Sequence, residues 1–129
     1  MESQKVDAFQ YRPLAKDRCE IRLVRIVNVQ EDPGKEVIMH LQVFSSPLDE
    51  AGPYIAVWYA WGDPTPTSKL VCNNAANWVP ENTFWTLYTI YHSTQRASTR
   101  AVTLWIDALC INQADVDEKN IQAPLMGRI

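Results

Sequence analysis

Apolar and polar residues alternate with a period of two along EIRLVRIVNV, which sets Ile21, Leu23, Val27 and Val29 on one face and has Arg25 interrupting it. The segment VIMHLQVF repeats the pattern with Val37, Met39, Leu41 and Val43. Between them EDPGK carries Pro33-Gly34, a strong turn signal, so the two runs predict an antiparallel hairpin. A second loop, SSPLDEAGP, delivers the chain into YIAVWYAWG, an aromatic and β-branched run that reads as a core strand stopped by Gly62. DPTPTSK then releases the strand, because its two prolines cannot donate ladder hydrogen bonds, and LVC predicts a brief further strand.

From Pro80 the period becomes helical. Phe84, Leu87, Tyr88 and Tyr91 fall at i, i+3, i+4 and i+7, and Pro80 suits the first turn. The polar QRASTR connects this helix to AVTLWIDALCI, whose apolar residues on both faces predict a strand covered on both sides. Asp115, followed three residues on by Glu118, has the spacing of a capping box. It would open a helix with Ile121, Leu125 and Ile129 inward and Pro124 as a kink. The order strand, helix, strand, helix favours an α/β fold with a parallel sheet and a right-handed crossover, preceded by the hairpin.

Within this pattern Asp107 is an anomaly. A carboxylate inside the apolar run LWIDALCI costs several kcal/mol unless it is paired or sits at a strand end. Its place at the carboxyl end of the strand, where it can meet loop amides or a ligand, removes the conflict.

Composition adds constraints. The chain has 129 residues, 47% of them hydrophobic, enough for one domain with a real core. Fifteen acidic and twelve basic residues give a net charge of −3 with no basic stripe, which argues against nucleic acid as a direct partner. No apolar run approaches the ~20 residues of a membrane span, and MESQKVDAFQ lacks the layout of a signal peptide, so a soluble, cytoplasmic protein is expected. Cys19, Cys72 and Cys110 match neither a zinc ribbon nor a redox pair, and neither His40 nor His92 stands near a cysteine; reduced thiols and no metal are expected.

Two stretches together resemble a known family. YIAVWYAWGD is similar to the first signature of the fungal heterokaryon incompatibility (HET) domain, with Trp58 where the family usually has serine. LWIDALCINQADVDEKNIQAPLMGRI resembles the second signature through Trp105, Ile106, Asp107, Cys110, Ile111, Asn112, Gln113, Asp115, Glu118, Gln122, Met126 and Ile129. Residues 1–16 read as a polar leader, and the resemblance, which covers roughly residues 11–129, implies 17–129 as the N-terminal part of a HET-like domain with the third parallel strand and beyond missing. It further implies allorecognition and programmed cell-death signalling, with other signalling or death-domain proteins, or a second copy, as partners. Through a distant similarity to TIR domains it implies a partial flavodoxin-like sheet and, as an alternative, hydrolysis of NAD or a related nucleotide. NAD would then be a substrate, and no cofactor is expected. The catalytic glutamate of TIR enzymes lies beyond the third strand, outside this chain, and a truncated paralogue without activity is the remaining alternative.

Ligands of open α/β sheets sit at the carboxyl ends of parallel strands. Trp61, Gly62 and Asp63 leave the first strand there, and Asp107, Asn112 and Gln113 leave the second. Asp107 is either a ribose ligand or an acceptor for loop amides; Glu118 is either an acid, base or ribose ligand, or a helix cap. Trp61 either stacks on a planar ligand or packs in the core, Gly62 permits close backbone approach, and Trp58, Trp85 and Trp105 read as packing residues. Asn112 and Gln113 hold the loop or touch a ligand, and Cys110 reads as an inert core thiol.

Overall fold

The structure, a computed structural model, describes residues 8–14, 19–57, 63–95 and 102–125. Among the described residues six strands form one mixed sheet. The strands β1 (Glu20–Gln30) and β2 (Ile38–Pro47) pair antiparallel from Glu20↔Pro47 to Gln30↔Ile38. The turn between them is closed by the Lys35 N–H donating to the Asp32 carbonyl at 3.0 Å, with Gly34 at φ +76°, a conformation that glycine adopts without strain. The register shifts between Ile26 and Asn28, and this bulge carries Val27 out of the alternation. Val27 is 62% exposed and so leaves the expected core face of β1, on which Ile21 and Leu23 are fully buried and Val29 packs against the core.

The other strands are β3 (Ile55–Val57), β4 (Ser68–Cys72), β5 (Ala75–Val79) and β6 (Thr103–Ile106), in the order β3-β6-β1-β2-β4-β5. Among the described residues β3 runs parallel to β6, as expected of these two strands, and β2 runs parallel to β4, while the other pairs are antiparallel, so the sheet is mixed and not the expected parallel one. The reason is topological. β1 and β2 are the two central strands of the same sheet rather than an appendage, and β6 joins β1 antiparallel. β5 escapes the sequence reading because AANWV carries weak strand propensity. It forms because Asn73 and Asn74, at φ 52° and 64°, make the two-residue turn that folds it back on β4.

Among the described residues three α-helices and a short 3-10 turn at Leu48–Glu50 complete the fold. In α1 (Glu81–Gln95) Phe84 and Leu87 are buried while Tyr88 and Tyr91 pack against the core, as the periodicity predicts. Trp85 departs from expectation at 45% exposed. The run AVTLWIDALCI is not one strand: β6 stops at Ile106 and the one-turn helix α2 (Asp107–Cys110) follows at once. Leu104, Trp105 and Ile106 are fully buried in succession, so β6 is covered on both faces. In α3 (Val116–Leu125) the inward positions are polar, with Glu118 and Gln122 buried and Ile121 only half-buried. The helix includes Pro124 in its last turn; Ile129 lies outside the described residues.

Residues 8–14 lie along the sheet. Ala8 bridges Ala76 in parallel, and the Phe9 N–H donates to the Ala76 carbonyl at 2.7 Å, covering part of the outer edge of β5. Among the described residues no helix is long and apolar enough to cross a membrane.

Candidate functional site

The geometry of the second signature begins where β6 ends. Asp107 opens α2, and its Oδ1 accepts the Ala108 N–H at 2.8 Å. Its carbonyl accepts from Gln113 Nε2 at 2.9 Å and from the Ile111 N–H at 3.4 Å. Asn112 Oδ1 accepts the Ala114 N–H at 3.2 Å, and the Asn112 carbonyl accepts the Asp115 N–H at 3.1 Å. These bonds satisfy backbone groups that a tight passage from strand to helix would otherwise leave unpaired.

Asp115 Oδ1 then accepts the Glu118 N–H at 3.1 Å, the first half of a capping box. The reciprocal half is absent, because the Asp115 N–H is already given to Asn112 and the Glu118 side chain points elsewhere. This corrects the assignment of Glu118 as a capping side chain. Its carboxylate meets Arg22 on β1 through both oxygens, Nη2 to Oε1 at 2.5 Å and Nη1 to Oε2 at 2.6 Å, and Oε2 also accepts the Asn112 N–H at 2.5 Å. The two side chains are 4% and 8% exposed. A guanidinium and a carboxylate match each other's planar fork, which makes a bidentate pair possible in so little water.

Arg22 is bonded further. Nη1 donates to the Cys110 carbonyl at 3.2 Å and Nη2 to the Arg12 carbonyl at 2.8 Å, while the guanidinium carbon lies 4.6 Å from the centre of the Tyr11 ring. The Tyr11 hydroxyl donates to the Leu109 carbonyl at 2.7 Å, and burial pushes its pKa up to about 12. One arginine thus gathers the N-terminal segment, α2, the signature loop and α3 around the middle of the sheet. Gln122 adds a second tether, its Nε2 donating to the Glu20 carbonyl at 2.9 Å.

Of the residues singled out in the sequence, Asp107, Asn112, Gln113 and Glu118 come together in this one network. Asp63 is exposed and turned to its own loop, where Thr65 donates to Oδ1 from its N–H at 3.0 Å and its hydroxyl at 2.6 Å. Those bonds hold the Asp63 carboxyl below its ordinary range. Trp61 and Gly62 lie outside the described residues, as does Trp58. Arg22 and Tyr11 escaped the sequence reading. The available signal was an arginine, Arg22, between apolar strand residues of EIRLVRIVNV, where burial calls for a charged or hydrogen-bonding partner; Arg25 three residues on masks it.

Chemically the network is a clamp. Both oxygens of Glu118 carry charge-assisted bonds to Arg22, and Oε2 also takes the Asn112 amide, so the carboxylate is held in place by three donors. The Asp107 carboxylate is half-buried and engages its own helix start. Cys110 is fully buried, its sulfur accepts the Ile106 N–H at 3.4 Å, and burial raises its thiol pKa to about 12, which removes the nucleophilic thiolate. Among the described residues no three His, Cys, Asp or Glu side chains are grouped to hold a metal ion.

Fold and site together define a mixed α/β domain whose strand, one-turn helix and acid-bearing helix are clamped by a buried arginine. A family model described as Heterokaryon incompatibility protein (HET) matches residues 54–129, and the chain belongs to that family. Heterokaryon incompatibility protein 6, OR allele, from Neurospora crassa is 33% identical over 92 residues, covering 65% of this chain and 14% of the relative's length. No solved structure matches. The matched region contains Asp107 and Glu118; Arg22 and Tyr11 precede it.

Proposed function

We propose that this chain serves allorecognition, contributing a HET surface through which signalling or death-domain proteins, or a second copy, assemble to trigger programmed cell death. The observation that carries this reading is the Arg22–Glu118 clamp: one acid of the signature is engaged in holding the fold. A signature spent on architecture supports a module that works by its shape and surface.

The test replaces the ion pair with apolar residues of similar volume, Arg22→Met with Glu118→Leu, in the full-length gene expressed in a filamentous fungus. Growth arrest that survives the swap supports action through a folded surface. Arrest abolished by the swap while the protein remains folded, or no arrest from the wild type, overturns the reading.

One observation favours a second reading, cleavage of NAD or a related nucleotide in the manner of TIR domains. β3 and β6 are parallel neighbours from Ile55↔Leu104 to Val57↔Ile106, so the segments that follow them leave from the same end of the sheet. Trp61, Asp63 and Asp107 belong to those segments. Nicotinamide release from NAD by the full-length protein, lost in Asp107→Ala, would support this reading; no release above that control sinks it.

A further inference from the structure

Two tryptophans stand outside the core where β5 hands the chain to α1. Trp78 is 56% exposed and Trp85 45%, and both line one cleft of about 250 Å³ together with Glu36, Glu81, Lys69 and Phe84. Trp85 is fixed in place, edge-on to Phe84 and Tyr88 with ring centres 5.0 and 5.1 Å away. Trp78 is directly opposite Lys69 in the antiparallel pair of β4 with β5.

Large aromatic surfaces held rigid and left in water mark places where binding recovers the lost burial at small entropic cost. The rim says what is bound. An indole face carries negative potential and attracts cations, and two carboxylates beside two such faces strengthen that preference. Among the described residues neither Glu36 nor Glu81 takes part in an ion pair, and the arginines that cover aromatic rings lie over Tyr11 and Phe44, not over these indoles. The cleft is smaller than the ~300–1,000 Å³ of sites for drug-sized ligands, which suits one long side chain better than a cofactor. The chain's net charge of −3 also favours a basic partner.

We infer that this cleft receives an arginine or lysine side chain from a partner polypeptide. The stem lies against Trp78 and Trp85, and the charged head reaches Glu36 and Glu81. Lys69 opposes the incoming charge and keeps single-residue affinity low, so the cleft acts as one anchor within a larger interface. This inference is independent of whether the protein signals cell death.

The probe is the capped tripeptide acetyl-Gly-Arg-Gly-amide, with lysine and norleucine versions, titrated into the 129-residue chain while the indole N–H signals of Trp78 and Trp85 are followed by NMR. Single Trp78→Phe and Trp85→Phe variants assign the signals. The arginine or lysine peptide should shift both, and the norleucine peptide should bind about fivefold more weakly or less. Glu36→Gln with Glu81→Gln should weaken the cationic peptide by a similar factor, and Lys69→Ala should tighten it. Glu36 and Glu81 are exposed and Lys69 is half-buried outside the core cluster, so the three changes leave the core residues in place. Equal binding of the norleucine peptide, no loss in the double glutamine variant, or no shift of either indole by a cationic peptide overturns the proposal.

Discussion

Arg22 and Glu118, 96 positions apart, meet through both guanidinium nitrogens and both carboxylate oxygens at 2.5 and 2.6 Å in a nearly dry setting. Breaking such a pair on one side strands a charge, whereas replacing both partners by apolar groups removes the desolvation cost along with the attraction. Glu118→Ala is predicted to destabilise the fold by roughly 3–5 kcal/mol, and Arg22→Met with Glu118→Leu to lie within about 2 kcal/mol of the wild type. Urea unfolding followed by circular dichroism measures both. A Glu118→Ala midpoint equal to the wild type would show that the pair is not desolvated.

Tyr11 makes two separable contributions, a ring under the Arg22 guanidinium and a hydroxyl bonded to Leu109. Tyr11→Phe keeps the first and should cost about 1 kcal/mol, while Tyr11→Ala loses both and should cost at least about 2 kcal/mol. Chemical denaturation of the two variants side by side resolves the difference. Equal losses would assign the whole effect to the hydroxyl.

Burial raises the pKa of Cys72 and of Cys110 from 9.0 to about 12, and that of Tyr11 from 10.0 to about 12. In each case the folded state holds its proton more tightly than the unfolded chain. The contribution is therefore complete below pH 9 and is lost as pH rises toward 12. Thermal melting should show a midpoint that falls steadily over that alkaline window. A thiol reagent added at neutral pH should label exposed Cys19 quickly and buried Cys72 and Cys110 only after unfolding. Fast labelling of all three would contradict the burial described.

The turn between β4 and β5 uses two asparagines for different ends. Asn73 exchanges a pair of bonds with the Val43 backbone, its Oδ1 accepting at 2.8 Å and its Nδ2 donating at 2.9 Å, which ties the turn to β2. Asn74 holds φ 64° with its side chain exposed. Asn74→Gly should be neutral within about 0.5 kcal/mol, because glycine accepts that conformation, and Asn73→Gly should cost about 1–2 kcal/mol through the lost bonds. Equilibrium unfolding ranks them, and the reverse order would refute the division of roles.

Much of this architecture is legible in the chain. Periodicity locates α1 and the strands β1, β2 and β4, because each buries a regular apolar face. It fails where tertiary contacts override local pattern. Val27 sits on the wrong side because a bulge resets the alternation, and Asp107 to Cys110 form a helical turn that the apolar pattern alone does not distinguish from strand. The signature motif draws attention to Glu118, yet its partner is invisible in any local window: Arg22 sits on a different strand and looks like one more basic residue beside Arg25. Arg25 in fact lies over Phe44 at 4.9 Å, half-buried, so the basic residue that interrupts the pattern in sequence is not the one that organises the site. Likewise α3 reads as an amphipathic helix with an apolar inner face, whereas it docks through Glu118 and Gln122, groups whose burial becomes tolerable only once Arg22 and Glu20 receive them.

The strand order also fixes a sequence of events. Among the described residues β3 pairs with β6 alone, and β6 separates it from β1, so in this order β3 joins after Thr103–Ile106 has been made and seated. On a translating ribosome β1 and β2 can zip together early while Ile55–Val57 waits unpaired through the synthesis of more than forty further residues. During that interval the flank of β1 that faces β6 stays open to other strands, and the arrival of β6 covers it at Val24 and Arg25.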